Sequence, residues 1–247
     1  PAFLPLSSST LDTIQPSIFM VVHFGVLGLL CGLVGSLLVW ALYFSHDLFQ
    51  SLKIPLWVKP AIGGLMIGCI GFFFPQVLGE GYETINDMIL SVTTPVITMQ
   101  FIGLLVLLAV LKILATSLTL GSGGTGGTFA PAMVCGALLG AGVGLIFESL
   151  MPSFNADYRV FAMVGMAGVV GSALGTPLAA LLIIYEVAGG QYRLVLPLMI
   201  TVAVSSLASS FIRKGSVYTI TLLRDGFDVE SESLKQQDPL EKLPIRD

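Results

Sequence analysis

The chain has 247 residues and a formal net charge of −4, and 55% of its residues are hydrophobic whereas only 11% are charged. A mean hydropathy of +0.93 lies well beyond that of a soluble domain, so the composition indicates a protein embedded in a lipid bilayer. The weak net charge, without a basic cluster beside aromatic residues, gives no indication of nucleic-acid binding. Cys31, Cys69 and Cys135 lie far apart in apolar runs without metal-ligand spacing, so we expect neither a metal nor another cofactor.

Six apolar runs follow one another along the chain, and each is long enough to cross a bilayer as a helix. They are residues 18–44, 61–78, 96–120, 129–147, 160–185 and 194–212, separated by short joints at 46–60, 79–87 and 148–159. The sequence therefore predicts an all-α, multi-pass protein of the cell membrane with a membrane domain at residues 1–223. A polar tail at 224–247 follows, and the lysines and arginines from Arg213 onward favour a cytoplasmic C-terminus.

Small residues four positions apart recur in these runs and predict close helix packing. Two runs are also broken by glycine and proline, at 121–131 and at 171–177. Backbone without helical hydrogen bonds is tolerated at membrane depth only where protein buries it or where it lines a wet cavity. The broken helices therefore predict a functional site. The paired small residues are Gly28 and Gly32, Gly64 and Gly68, Gly136, Gly140 and Gly144, and Gly171 and Gly175.

The stretch GSGGTGGTFAP at 121–131 indicates what this site binds. Its glycine spacing satisfies the dinucleotide-binding pattern, but an apolar run rather than a strand precedes it. Proline is favoured at the start of a helix, so Pro131 predicts a helix whose amino end lies between Thr128 and Pro131. The free N–H groups of such an end attract an anion, and Gly126 and Gly127 would let the backbone turn so that these groups face one point. Amides hold an anion more loosely than a lysine or arginine does, as conduction requires.

Together with the following AMVCGALLGAGVG, this stretch resembles the G-x-F-x-P segment and next helix of the CLC family of chloride channels and chloride/proton exchangers. The likeness extends over residues 59–85, 111–124, 165–201 and 215–226. The resemblance implies the second repeat of an inverted-repeat helical fold with broken and re-entrant helices. It also implies a homodimer with a separate pore in each subunit.

By the same resemblance, the backbone amides of Thr128 and Phe129, with Ala130 beside them, would bind the central anion. The Tyr218 hydroxyl would complete the cage, and Phe129 would add an apolar wall. The bound and transported ligand would be chloride.

Two further motifs of the family, G-S-G-I-P and G-[KR]-E-G-P, do not occur in this sequence. By resemblance, Pro1 falls just before the last helix of the first repeat, so the chain would hold that helix and the second repeat. We therefore expect an upstream N-terminal half of the same protein as a partner that completes the pore.

Several polar residues have simpler interpretations. Tyr218 is also typical of an interfacial aromatic anchor, and Lys112 can snorkel or bind carbonyl groups instead of lining a pore. Glu186 is expected at the interface rather than as a proton carrier. His23 and His46 lack partners at metal-ligand spacing. No Ser/His/Asp or paired-carboxylate arrangement is evident, so an enzyme is not expected.

The function predicted from the sequence is transmembrane passage of small inorganic anions, chloride by default. Two alternatives remain: a cation-coupled secondary transporter of another family, and a non-transporting fragment that serves as a partner or scaffold of an intact subunit. The sequence leaves open the choice between channel and proton-coupled exchanger, and that between chloride, nitrate and fluoride.

Overall fold

The computed structural model describes residues 18–86, 99–150, 157–213 and 215–218. The predicted tail at 224–247 lies outside these residues. Short 3-10 turns, Pro75–Val77 and Tyr192–Leu194, lie between some of the helices. The α-helices of the described part are α1 (Ile18–Ser51), α2 (Val58–Phe73), α3 (Tyr82–Ile85), α4 (Met99–Gly121), α5 (Phe129–Leu150), α6 (Tyr158–Leu174), α7 (Pro177–Val187) and α8 (Val195–Ile212).

Four helical segments are long and apolar enough to cross a membrane: Phe19–Ser51, Gln100–Gly121, Phe129–Leu150 and Tyr192–Ile212. Helices α2, α6 and α7 are apolar but shorter. The prediction of an all-helical membrane protein is therefore confirmed for the described residues. The prediction that the 61–78 run is long enough to span the bilayer is wrong, because α2 ends at Phe73, just before Pro75, and is shorter than a span. The 160–185 run is divided into α6 and α7.

The predicted joint at 46–60 begins too early. Helix α1 continues through His46 to Ser51, since the stretch from His46 to Lys53 contains neither glycine nor proline and polar residues alone do not end a helix. The first proline is Pro55, and α2 starts three residues after it, at Val58.

The predicted break at 171–177 is confirmed. Helix α6 ends at Leu174, and Gly175 takes the left-handed conformation with φ +70° while its N–H donates to the Gly171 carbonyl at 3.1 Å. Pro177 then begins α7 at a position where its missing N–H costs nothing. The chain thus closes one helix and opens the next within three residues.

Helix α6 is the centre of the described structure, because every residue of it except Arg159 is buried. It packs against α5, α1, α8 and α7. Its amino end is capped by Asp157, whose carboxylate accepts the Arg159 backbone N–H at 2.9 Å. The positions of α1, α5, α7 and α8 therefore depend in part on their contacts with α6.

Helices α5 and α6 approach each other through glycines. A Cβ placed on Gly136 would lie 2.4 Å from the Gly165 carbonyl oxygen, and one on Gly140 would lie 2.1 Å from that of Phe161. A Cβ on Gly144 would lie 2.6 Å from the Cα of Tyr158. The contacts move backward along α6 as they advance along α5, so the helices are antiparallel. The amino end of α5 therefore lies at the same end of the pair as the carboxyl end of α6.

Of two other predicted small-residue pairs, one packs against a neighbouring helix and the other does not. A Cβ on Gly28 would lie 2.8 Å from the Val204 Cβ of α8, and one on Gly32 would lie 2.7 Å from the Ala208 Cβ, so this pair packs as predicted. A Cβ on Gly64 or Gly68 would meet no heavy atom within 4 Å in the described part of the chain. The predicted packing role of that pair is therefore not found there.

We expect Gly140→Ala to lower stability by about 1–3 kcal/mol, because the new methyl group would overlap the Phe161 backbone and force α5 away from α6. Gly142→Ala on the same helix is the matched control, since a Cβ there meets nothing within 4 Å. The measurement is the thermal melting temperature of the full-length protein in detergent, followed by size-exclusion chromatography. Equal melting temperatures for the two variants would contradict the assigned packing contact.

Candidate functional site

The first half of the glycine-rich stretch ends helix α4. Gly123 has φ +94°, and its N–H donates to the Leu120 carbonyl at 3.2 Å. The N–H of Gly124 reaches the Thr119 carbonyl at 2.9 Å. These two bonds form a Schellman motif with Gly123 in the left-handed position. The carbonyl end of α4 is thereby closed before the chain turns toward α5.

The second half of the stretch opens helix α5 at Phe129. The N–H of Ala132 donates to the Thr128 carbonyl at 3.1 Å, which makes Thr128 the residue that precedes the helix. The sequence placed the amino end of this helix between Thr128 and Pro131, and Pro131 is the third residue of the helix. It is accommodated there because N–H groups of the first turn have no acceptor within the helix. The N–H groups of Phe129 and Ala130 belong to that turn and lie at the positive end of the helix dipole.

The glycines before this turn do not adopt the left-handed conformation. Gly126 and Gly127 are exposed, and neither has a positive φ, so they are not the left-handed residues of the loop. That conformation falls on Gly123, where the end of α4 requires it. A Cβ on Gly127 would meet nothing within 4 Å among the described residues. Thr128 itself is buried, whereas Phe129 and its neighbour Ala130 are partly buried.

Residues 215–218 form a short segment that is held at the carboxyl end of α6. The N–H of Val217 donates to the Ala173 carbonyl at 3.2 Å. The hydroxyl of Tyr43, on α1, donates to the Val217 carbonyl at 2.6 Å. Both backbone polar groups of Val217 are therefore hydrogen-bonded by different parts of the fold.

Arg213 lies just after α8 and binds the same end of α6. Its guanidinium donates to the carbonyl oxygens of Ser172 and Ala173, the latter at 3.2 Å, and to the carbonyl oxygen of Gly215. A cation at the carboxyl end of a helix is favourable because that end carries partial negative charge. From the sequence, Arg213 served only to predict the side of the membrane on which the C-terminus lies. Its contacts with α6 and with the 215–218 segment were missed because they join residues that no local pattern relates.

Tyr218 follows this fixed backbone. Its side chain is 61% exposed, and its backbone N–H donates to the Ser216 hydroxyl oxygen at 3.3 Å. The antiparallel packing of α5 and α6 brings the 215–218 segment to the end of the pair where α5 begins. In the described residues no hydrogen bond links Tyr218 to Phe129 or Ala130, although these predicted site residues lie toward the same end of the α5–α6 pair.

Lys112 is buried, with 3% of its surface exposed, and it binds backbone carbonyls. Its ammonium donates to Val77 at 2.9 Å and to Gly79 at 2.7 Å. This geometry supports the interpretation of Lys112 as a carbonyl ligand that fixes the loop after α2. The loop surrounds a cavity of about 740 Å³ lined by residues 75–76 and 78–84. Burial raises the pKa of Tyr82 there, and the negative charge of Glu80 adds to the rise.

The remaining polar candidates lie elsewhere. Glu186 is exposed near the end of α7. The ring of His23 packs edge-on against Phe147 at a centroid distance of 4.4 Å, and exposed His46 lies 3.8 Å from the Asp47 carboxylate. Among the described residues, no three histidine, cysteine or carboxylate side chains lie close enough together to hold a metal ion.

The fold and the site define a polytopic membrane protein in which a broken helix presents its amino end at an interhelical site. The sequence profile of the family described as voltage gated chloride channel matches residues 4–210. The chain therefore belongs to the voltage-gated chloride channel, or CLC, family.

Curated relatives support this assignment. The voltage-gated ClC-type chloride channel ClcB of Salmonella typhimurium is 33% identical over 192 residues, which are 77% of this chain and 44% of ClcB. The H(+)/Cl(-) exchange transporter ClcA of Klebsiella pneumoniae is 30% identical over 224 residues, or 87% of this chain and 45% of ClcA. The chain thus spans less than half the length of these relatives.

Solved structures show the same fold. The chain is similar to a slow cyanobacterial Cl−/H+ antiporter with a TM-score of 0.76 and 24% identity, over 90% of this chain and 50% of the antiporter. A CLC-type fluoride/proton antiporter gives a TM-score of 0.66 and 24% identity over 87% of this chain and 49% of that one. The predicted CLC-type helical fold is confirmed by these likenesses.

The different positions of the loop glycines lead to a stability prediction. We expect Gly123→Ala to cost about 1 kcal/mol, because a Cβ is disfavoured in the left-handed conformation that ends α4. Gly127→Ala should change stability by less than about 0.5 kcal/mol, since the site is exposed and its φ is ordinary. Thermal unfolding of the two variants in detergent measures the difference, and a larger loss for Gly127→Ala would refute this reading of the loop.

Proposed function

We propose that this chain supplies one half of a pathway that carries small inorganic anions, chloride by default, across the cell membrane. The observation that carries the proposal is the arrangement at one end of the α5–α6 pair. There the first turn of α5 presents the N–H groups of Phe129 and Ala130, and the 215–218 segment brings Tyr218 to the same end. Thr128 completes the proposed set of amide donors.

These groups suit an anion that must enter and leave quickly. Amide N–H groups and a hydroxyl offer partial charges, which replace part of the hydration shell without the strong attraction of a free ammonium or guanidinium. Two cations considered in this part of the fold already donate to backbone carbonyl groups. Lys112 binds those of Val77 and Gly79, and Arg213 binds those at the carboxyl end of α6. Neither is needed as a direct anion ligand in the proposed site.

The names of the relatives support transport rather than catalysis. One is described as a chloride channel and another as an exchange transporter, so we retain both modes for this protein. We propose no enzymatic activity and no cofactor. The family match weighs against the alternative of a cation-coupled transporter of another family.

We further propose that an N-terminal half of the full-length protein covers the site. Gly126, Gly127 and Tyr218 are exposed in the described structure, whereas an ion deprived of water requires donors on all sides. ClcB is more than twice as long as the matched region, which leaves ample chain for the missing donors. A non-transporting scaffold remains the second candidate and is addressed by the flux measurement below.

The assembly and topology follow as proposals from the family assignment. We propose a homodimer whose interface is formed in part by residues 18–44 and by the helices within 171–212. Leu178 and Leu182 on α7 and Phe211 on α8 are exposed apolar residues available for such a contact. We also propose that residues 1–223 form the membrane domain and that the 224–247 tail is cytoplasmic.

We expect Tyr218→Phe to weaken chloride binding by the full-length protein at least about tenfold, because a hydrogen bond to a charged partner contributes about 1.5–3 kcal/mol. Tyr185→Phe is the matched control, since the hydroxyl of Tyr185, a residue of α7, donates to the Gly190 carbonyl at 2.8 Å. Isothermal titration of chloride into detergent-solubilised protein provides the measurement. An unchanged affinity in Tyr218→Phe would remove this tyrosine from the anion site.

We expect residues 1–247 alone not to release chloride from liposomes, and co-expression with the N-terminal half of the full-length protein to restore efflux. The reason is that the donors proposed for this half cannot surround an anion without those of the other half. Chloride efflux is measured with an ion-selective electrode after the sample is shown to be monodisperse. Robust, selective efflux from the chain alone would overturn the half-pathway proposal, and a well-folded co-expressed pair without efflux would favour the scaffold.

A further inference from the structure

The backbone just before Tyr218 is fixed by side chains that the proposed anion site does not itself use. Val217 is bonded through its N–H to Ala173 at 3.2 Å and through its carbonyl to the Tyr43 hydroxyl at 2.6 Å. Arg213 ties the same end of α6 to the start of the segment by donating to Ala173 and Gly215. We call this set of contacts the Val217 clamp.

We propose that Tyr43 and Arg213 are positioning residues, which act through the Val217 clamp to set where the Tyr218 hydroxyl meets the anion. The inference rests on the proposed anion site and goes beyond it, because neither residue is among the proposed anion ligands. Tyr218 is 61% exposed in this half, so the described residues hold its side chain through few contacts. Its location depends instead on the residue before it, whose two backbone polar groups are both bonded.

The clamp joins three elements that are distant in sequence. Tyr43 belongs to α1, Ala173 to α6, and Arg213 follows α8. Because α6 packs along glycines of α5, a segment attached to the carboxyl end of α6 is also placed relative to the amino end of α5. The clamp therefore fixes the position of Tyr218 relative to the α5–α6 pair.

Arg213 is suited to this role by geometry and charge. Its planar guanidinium has five N–H donors in a fixed arrangement, so it can serve three carbonyl groups at once, which a lysine ammonium on a flexible stem does with less precision. Those carbonyls belong to Ser172, Ala173 and Gly215. Its positive charge also offsets the negative end of α6 beside the site proposed for an anion.

The test uses Tyr43→Phe in the full-length protein, because this change removes one hydroxyl and keeps the ring. Two quantities are measured: chloride affinity by isothermal titration, and the fluorine NMR signal of 3-fluorotyrosine placed at position 218. We expect an affinity loss of about two- to tenfold, as for one ordinary hydrogen bond, and a broadened or split fluorine signal. Tyr185→Phe, which removes the hydrogen bond from the Tyr185 hydroxyl to the Gly190 carbonyl, should change neither quantity.

A double variant shows whether the effect passes through Tyr218. In a Tyr218→Phe background, Tyr43→Phe should cause no further loss of chloride affinity. A loss of equal size in both backgrounds would overturn the inference, since the clamp would then act on another part of the protein. Arg213→Lys should reproduce the fluorine change of Tyr43→Phe while keeping the charge, and full retention of the wild-type signal would exclude Arg213 from the clamp.

The measurements separate this inference from the proposed function. If Tyr218→Phe weakens chloride binding but Tyr43→Phe alters neither affinity nor the fluorine signal, the clamp is wrong and the anion site stands. If Tyr43→Phe alters the fluorine signal while Tyr218→Phe binds chloride normally, the anion role of Tyr218 fails, and with it the positioning role in binding.

Discussion

The backbone contact between α5 and α6 is the constraint on which the rest of the structure depends. In lipid, helices gain little from burying apolar surface against each other, so their association requires close fit. Glycine provides that fit here: Gly136 and Gly165 each face the other's carbonyl, at 2.4 and 2.3 Å from an added Cβ. The pair is antiparallel, so this one contact fixes which helix ends meet. The site is located at that end because of the packing and not because of its own side chains.

A second constraint is the need to satisfy backbone groups where helices are broken. The carbonyl end of α4 is closed by the bonds of Gly123 and Gly124, and that of α6 by Gly175 and Arg213. The amino end of α5 differs, since the N–H groups of its first turn are not used by the helix. Among the described residues, the carbonyl ends of α4 and α6 are thus closed by the chain itself, whereas no hydrogen bond within the fold uses the N–H groups of Phe129 and Ala130 at the amino end of α5. This asymmetry favours an anion over a cation at the amino end of α5, where the site is proposed.

The sequence predicted the broken helices and the helix start near Thr128 because glycine and proline act locally. It did not predict that Gly123, rather than Gly126 or Gly127, adopts the left-handed conformation, because the choice depends on where α4 ends. It also missed the clamp: Tyr43 and Val217 lie 174 positions apart, and no local pattern relates them. Gly64 and Gly68 show the opposite case, in which a packing pattern has no partner among the described residues.

The charges at the shared end of α5 and α6 explain why an arginine can lie beside the proposed anion site. The amino end of α5 attracts an anion, but the carboxyl end of α6, at the same level, repels it. Arg213 binds carbonyl groups at that second end, so its positive charge mainly offsets the carbonyl dipoles of α6 instead of attracting the ion. The attraction left for the anion then comes mainly from the α5 amides. With this balance the proposed site would attract an anion without retaining it, which is the condition that passage across a membrane imposes.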